Sequence, residues 1–364
     1  MEENRQPTIL TITGSDGTGG AGIQADIKLI SALGYHATSA VTSITAQNTL
    51  GIQEFYDLPA AAVGGQIEAI VNDMQPRIVK VGMVRKLDML EVIAQKLERY
   101  RPETVIYDTV VQSSKGEVLI EEDMLDEIKH RLLPLVSLLV IRCEDAAYLL
   151  DYKIENVEDM KMAAAELIGY GCKAVLLQGI ACCTDLAVDL YQSSQHGESH
   201  IFSLQHESQT EQRRHGSGSL LSSAIAAFLC NGNGYLEAIS HARNYVRHMV
   251  EPTNSLTGRS RELYDELMTL IRQHHKQYND VRFYADSLNV STRYLAQVTK
   301  RISGQSPKTL IDEYILQETE KQLLASNRTV QEIAYDFGFH SQAHFAKFFK
   351  KNKGVAPSQY RKMG

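Results

Sequence analysis

A nine-residue run, Gly14-Ser-Asp-Gly-Thr-Gly-Gly-Ala-Gly22, follows the β-branched stretch Thr8–Thr13 and is the densest candidate binding element in the chain. Glycines let a backbone approach a ligand closely, and Gly17-Thr-Gly19-Gly-Ala-Gly22 fits the GxGxxG spacing of a dinucleotide loop. That loop also needs an acidic residue about 20 positions later to hold a ribose. His36 to Gln47 contains no Asp or Glu, and no Lys-Ser/Thr pair completes a P-loop, so the glycines serve another ligand. A second turn, Gly216-Ser-Gly218, precedes Ser219 and an apolar helical run. Backbone amides opening a helix attract anions. The five cysteines, Cys143, Cys172, Cys182, Cys183 and Cys230, form no CxxC pair, and Cys182-Cys183 has no Cys or His at ligand spacing. Zinc is not expected, and reduced thiols fit a cytoplasm.

These residues need elements to position them. Residues 8 to about 250 alternate short β-branched runs with amphipathic helical stretches. Strands are expected at Thr8–Thr13, Ser39–Thr45, Ile78–Val81, Val105–Val110, Leu138–Ile141, Ala174–Leu177 and Ala187–Tyr191, with helices at Gly22–Leu33, Leu87–Tyr100 and Val157–Tyr170. Repeated β-α-β predicts an α/β, doubly wound, mainly parallel sheet covered on both faces, with ligands at the carboxyl ends of its strands. Pro252–Gly258 reads as a linker, and a helix follows from Arg259 to His275. At 364 residues the chain is too long for one typical core. The start lacks a basic-then-apolar secretory pattern, and Leu132–Ile141 is about half of a membrane span, so no membrane association is expected.

The rest is all helical and basic. From Val281 onward 13 Lys and Arg face 7 Asp and Glu, a net +6, while residues 1–280 carry −13. Such a split suggests that the tail meets a polyanion and the body does not. Helices are expected at Val281–Leu288, Thr292–Ile302 (capped by Ser291), Lys308–Ala325, Val330–Phe337 and Gln342–Lys351, with Gly304 and Pro307 ending the first pair. This is a tandem helix-turn-helix joined by a helix, in which the second helix of each pair enters the major groove. Ile333-Ala334, Phe337-Gly338-Phe339, Phe345, Phe348-Phe349-Lys350-Lys351, Gly354, Pro357 and Tyr360-Arg361 carry a resemblance to the AraC family over about 281–362. The resemblance implies base reading by Arg293, Ala296 and Gln297, then Gln342, Ala343, His344 and Lys347. Arg293 suits guanine, and Gln297 or Gln342 suits adenine. Lys300, Lys350 and Lys351 suit phosphates.

The first domain carries longer motifs. Thr13–Asp26, Thr45–Gly51, Lys80-Val-Gly-Met83, Asp108-Thr-Val110 and His215–Ala227 are similar to hydroxymethylpyrimidine (phosphate) kinases of the ribokinase-like superfamily, over roughly 8–250. The resemblance places Gly14, Ala21, Gln47, Met83 and Val110 around an aminopyrimidine, with Asp16 in the glycine loop and Gly216, Ser217, Gly218 and Ser219 at the phosphate turn. Gln47 offers a donor and an acceptor to the ring edge, and Met83 and Val110 offer apolar walls. Catalytic equipment is missing. Ser219 replaces the cysteine base. Cys143 and Ala146 replace the Asn and Glu of a segment serving metal-bound phosphates. Gln178 replaces a nucleotide-side lysine, and Ser114, beside Lys115, replaces another. Phosphoryl transfer depends on positioning and on charge neutralisation by metal and cations, so these losses imply a degenerate kinase without catalytic residues, metal or cofactor.

The expected organisation is therefore a ligand-sensing domain over 1–255, a linker and connecting helix over 256–278, and an AraC-type DNA-binding domain over 279–364. The expected function is a cytoplasmic regulator, dimeric by the kinase resemblance, that binds operator DNA and senses hydroxymethylpyrimidine or its phosphate. The amide turn favours the phosphate. An active bifunctional kinase and a sensor of a B6-type pyridine remain as alternatives.

Overall fold

The computed structural model describes residues 7–112, 118–182, 186–195, 199–205, 217–250 and 258–363. The first two thirds run β1 (Thr8–Ser15), α1 (Gly22–Ala32), β2 (His36–Asn48), β3 (Gly51–Asp57), α2 (Ala60–Met74), β4 (Ile78–Val81), α3 (Leu87–Tyr100) and β5 (Thr104–Asp108). They continue through α4 (Met124–Glu127), β6 (Leu138–Arg142), α5 (Cys143–Leu150), α6 (Val157–Gly169), β7 (Ala174–Cys182), β8 (Leu186–Ser193), β9 (Ser199–Gln205), α7 (Ser217–Cys230) and α8 (Tyr235–Val250). All nine strands form one sheet, ordered β3-β2-β1-β4-β5-β6-β7-β8-β9. The central pairings are parallel, while β3 at one edge and β8 and β9 at the other are antiparallel.

Strand alternation sorts two cores. Leu10, Ile12, Val79, Val81, Val105 and Tyr107 pack with α2, α3, α5 and α6 on one face. Ile9, Ile78 and Ile106 pack with α1, α7 and α8 on the other. One pleat further along that second face, the same strands carry Thr11, Lys80 and Asp108, all buried. Chain order reverses at β1, which has β2 on one side and β4 on the other. This is the switch point where open α/β sheets leave a crevice.

The chain divides into two compact units at Thr253/Asn254. The second contains α9 (Ser260–His274), α10 (Val281–Ser287), α11 (Thr292–Ser303), α12 (Pro307–Ala325), α13 (Val330–Asp336), α14 (Gln342–Lys353) and α15 (Pro357–Met363). Pro307, read from sequence as a terminator, instead opens α12 at a position where its missing N–H costs nothing. The helix read as a connector is packed into the helix-turn-helix unit. Leu263, Leu267 and Ile271 of α9 are fully buried. Just past its end, His275 stands edge-on to Tyr314 of α12, with ring centroids 5.0 Å apart. Lys276 pairs with Asp336 of α13 at 2.9 Å. Gly338 has φ +72°, and a Cβ there would lie 2.8 Å from the Lys276 carbonyl oxygen, so only glycine fits this turn. The proposed linker, apart from Gly258, lies outside the described residues. Among the described residues no helix is long and apolar enough to cross a membrane.

Candidate functional site

The crevice at the switch point assembles from the ends of β1, β2 and β4. A Cβ on Gly14 would lie 2.5 Å from Met83 Cε and 2.8 Å from Ser43 Oγ, so glycine is what lets β1 and the residues after β4 approach. The Thr13 hydroxyl accepts from the Met83 amide at 2.9 Å, and the Thr42 hydroxyl donates to the Met83 carbonyl at 2.9 Å. Met83 is thus fixed at both backbone groups and half-buried. Gln47 sits on β2 beside a register shift against β3. The Thr45 hydroxyl lies between the Ser15 carbonyl, at 2.7 Å, and Gln47 Oε1, at 3.1 Å. Val110, two residues beyond β5, is half-buried.

Asp16 is engaged within the glycine loop. Its Oδ1 accepts from the Thr18 amide and hydroxyl, at 2.9 and 2.8 Å, and its Oδ2 from the Ala21 amide at 2.8 Å. The carboxylate folds the glycine loop around itself. Gly22, at φ +59°, closes that loop, since a Cβ would stand 2.3 Å from the Gly14 carbonyl oxygen. Sequence reading missed Ser43, only 1% exposed, whose hydroxyl at this crevice has no hydrogen-bond partner.

Beneath the first turn of α7 lies a charged cluster that no local pattern announced. Lys80, fully buried, pairs with Asp26 Oδ1 at 2.6 Å and donates to Ser219 Oγ and Ser223 Oγ, both at 3.0 Å. Ser219 and Ser223 each donate to Asp26 Oδ1 at 2.7 Å, and Thr11 donates to Oδ2 at 2.5 Å. Asp108 Oδ2 accepts from Ser222 at 2.8 Å and lies 3.6 Å from Lys80 Nζ. Burial pushes the Asp108 carboxyl up, while Lys80 and Ser222 pull it back. Ser219, expected at a ligand, therefore has its hydroxyl committed to Asp26 and Lys80. Gly218 lies in this turn, nothing is described of the Ser217 side chain, and Gly216 lies outside the described residues.

At the carboxyl ends of β6 and β7 the chemistry thins out. Cys143 and Ala146 are buried in the α2/α3-side core. Burial pushes the Cys143 thiol up to about 12, with Glu144 adding to the push. A neutral buried thiol and a methyl group do not fit a magnesium-bound phosphate, which takes oxygen ligands. Arg142 reaches back to Asp145 at 2.6 Å and donates to the Gln112 carbonyl at 2.7 Å. Asp145 Oδ1 accepts from the Gln112 amide at 3.0 Å. Burial raises the Asp145 carboxyl to about 6 against the pull of Arg142. Gln178 is the register partner of Arg142 on β7 and is half-buried. Ser114 and Lys115 lie outside the described residues. No cluster able to hold a metal occurs among the described residues.

In the second unit, Ser291 caps α11 through the Tyr294 amide at 3.1 Å, and Ser341 caps α14 through the His344 amide at 3.1 Å. Leu295 and Val298, then Phe345 and Phe349, anchor these helices in the interior. Their other faces expose Arg293 and Lys300 on α11, and Gln342, Ala343, His344, Lys347, Lys350 and Lys351 on α14. Ala296 and Gln297 are half-buried, and Gln297 Oε1 is buried without a partner, which leaves this side chain less available than its spacing suggested. His344 is braced edge-on by Phe339 at 5.4 Å between ring centroids.

With this geometry in place, comparison with known proteins adds identity at the family level. A family model described as phosphomethylpyrimidine kinase matches residues 16–262, and one described as a helix-turn-helix domain matches 284–363. A hydroxymethylpyrimidine/phosphomethylpyrimidine kinase of Streptomyces coelicolor is 34% identical over 240 residues, covering 66% of this chain and 87% of that protein. The chloroplastic thiamine biosynthetic bifunctional enzyme TH1 of Arabidopsis thaliana is also 34% identical, over 67% of this chain, which spans only 47% of that relative. Among solved structures, a phosphomethylpyrimidine kinase of Clostridium difficile superposes with a TM-score of 0.60 at 33% identity, covering 68% of this chain and all of that one.

Proposed function

The chain belongs to the phosphomethylpyrimidine kinase family and carries an AraC-type helix-turn-helix domain behind the kinase fold, and from that premise we propose that it is a transcription regulator whose kinase-like domain senses a hydroxymethylpyrimidine species. One observation carries the reading. The crevice at the β1/β4 switch point keeps its glycine, its methionine wall and its Gln47 amide, while Cys143 and Ala146 on the phosphate side have become apolar core. A binding pocket without the means of phosphoryl transfer is what a sensor requires. Gly14, Ala21, Gln47, Met83 and Val110 would surround the ring. Arg293, Gln342, His344 and Lys347 would read bases, while Lys300 and Lys350 would hold phosphates.

Regulation needs a ligand that binds the DNA-competent and DNA-incompetent states unequally. Typical couplings move operator affinity about 5–150-fold, and operator must move ligand affinity by the same factor. The test has two arms, each run with hydroxymethylpyrimidine and with its phosphate. Operator affinity is titrated with and without each ligand, and product formation with magnesium and ATP is followed by mass spectrometry. A ligand-dependent shift without product supports the reading. Turnover near about 1–100 per second would replace it with an active bifunctional kinase, and operator affinity unmoved by saturating ligand would remove the regulatory role.

A further inference from the structure

Ser43 carries a hydroxyl that the free protein leaves unused. It lies on β2 one residue before Ile44, the register partner of Ser15 where β1 ends, and is only 1% exposed. Its Oγ is closed to water and has no hydrogen-bond partner among the described residues. Three hydroxyls around it are engaged: Thr13 accepts from the Met83 amide, Thr42 donates to the Met83 carbonyl, and Thr45 donates to the Ser15 carbonyl. A buried polar group without a partner weakens the fold by its lost hydration, so its retention calls for a reason. Position supplies one. Ser43 Oγ and Met83 Cε lie 2.8 and 2.5 Å from the point where a Gly14 Cβ would stand, so hydroxyl, thioether methyl and glycine meet at one spot in the crevice. Met83 is pinned through both backbone groups, but its unbranched side chain has three rotatable bonds and can turn aside. A flat ring sliding past that methyl, against Gly14, would reach the Ser43 hydroxyl.

We infer that Ser43 is a specificity-determining residue of the pocket, donating its hydroxyl hydrogen to a ring nitrogen of the bound pyrimidine. This rests on the pyrimidine-sensing reading. In an aminopyrimidine the amine and the ring nitrogen beside it make an edge with one donor and one acceptor, which the Gln47 amide complements. The second ring nitrogen is an acceptor only and needs a donor of its own. A serine hydroxyl supplies that donor without bringing charge. The buried hydroxyl is satisfied only when ligand is present, so Ser43 weakens the free domain and strengthens the occupied one.

Calorimetry and thermal unfolding of the full chain test this with two probes at alkaline pH, where both rings are neutral. One is hydroxymethylpyrimidine, and the other is the pyridine analogue with C–H in place of the second ring nitrogen. The native protein should bind the pyrimidine at least about tenfold tighter than the analogue. Ser43→Ala should bind the two within about twofold of each other, and without ligand it should unfold at the native temperature or above. A gap between the probes that survives Ser43→Ala, or no gap in the native protein, overturns the inference and leaves the sensor reading in place. A Ser43→Ala chain that unfolds earlier than the native protein, or does not fold, overturns it as well, because the hydroxyl then has a structural partner. Failure of both probes to bind the native protein overturns the sensor reading with it.

Discussion

Replacing Lys80 with methionine removes the one cation described within the cluster under α7. The ammonium bridges Asp26, Ser219 and Ser223 at 2.6–3.0 Å and stands 3.6 Å from Asp108. Methionine fills much of the same volume, so the loss is electrostatic rather than steric. Breaking a buried ion pair from one side costs about 3–5 kcal/mol, because the partner charge stays buried without compensation. The upper half of that range is expected, since Asp26 and Asp108 lose the same counter-charge. For a unit of about 250 residues each kcal/mol moves the melting temperature by roughly 2–4 °C, so the transition should fall by roughly 8–20 °C. Scanning calorimetry on the full chain reads this. Operator DNA stabilises the reader by mass action and so identifies which transition belongs to which unit. Lys80→Met combined with Asp26→Leu removes both charges and should recover at least about 2 kcal/mol of the single-variant loss. A shift below about 1 kcal/mol for Lys80→Met, or strictly additive losses in the double variant, would refute the claim that charge pairing holds this cluster together.

Three other outcomes are expected. In the reader, Arg293→Ala should lose roughly 1–3 kcal/mol of discrimination at one base pair, whereas Lys350→Ala should weaken specific and random duplexes about equally, as seen by titration at fixed salt. A fragment starting at residue 279 loses Leu263, Leu267 and Ile271, whose burial contributes roughly 5–9 kcal/mol; circular dichroism should find it unfolded and the 258–364 fragment cooperatively folded, and a folded 279–364 would contradict the packing of α9. For Asp145 the native carboxyl is raised from 3.8 to about 6, so its ionisation penalises the fold fully above that value and not at all below 3.8. The stability of Asp145→Asn relative to the native protein should accordingly rise by roughly 3 kcal/mol as pH climbs from about 4 to about 7; a pH-independent difference in urea unfolding would show that Arg142 compensates the charge completely.

The parallel centre of the sheet was legible because its strands, such as Leu138–Ile141, are continuous apolar runs buried on both faces. The edges were harder. β3 carries Gln53, Glu54 and Tyr56 in a half-exposed hairpin arm, and β9 alternates weakly, so neither stands out from loop sequence. Gly14 and Met83 came from motif resemblance, and they do meet at the switch point. The Lys80 cluster could not be read ahead of the structure. A lysine inside Ile78-Val-Lys-Val81 looks like an edge residue until its partners arrive from α1 and α7. Asp16 shows the same limit of local pattern: a carboxylate among glycines suits a ligand and a loop equally well, and its bonds to the Thr18 amide and hydroxyl and the Ala21 amide become visible only in the structure.

The reach of the Lys80 cluster along the chain has a consequence for how the molecule is made. Asp26 waits for partners 54, 193 and 197 residues downstream. A ribosome adding about 5–20 residues per second takes about 7–28 s to cover the 139 residues from Lys80 to Ser219. Over that interval the nascent chain holds an aspartate–lysine pair whose serine donors do not yet exist. The reader comes after all of them, and its helices α11 to α14 are each started by a serine or threonine of their own at the preceding position, a local arrangement that closes quickly. Every chain that emerges with its helix-turn-helix helices has therefore already produced each serine that this cluster needs.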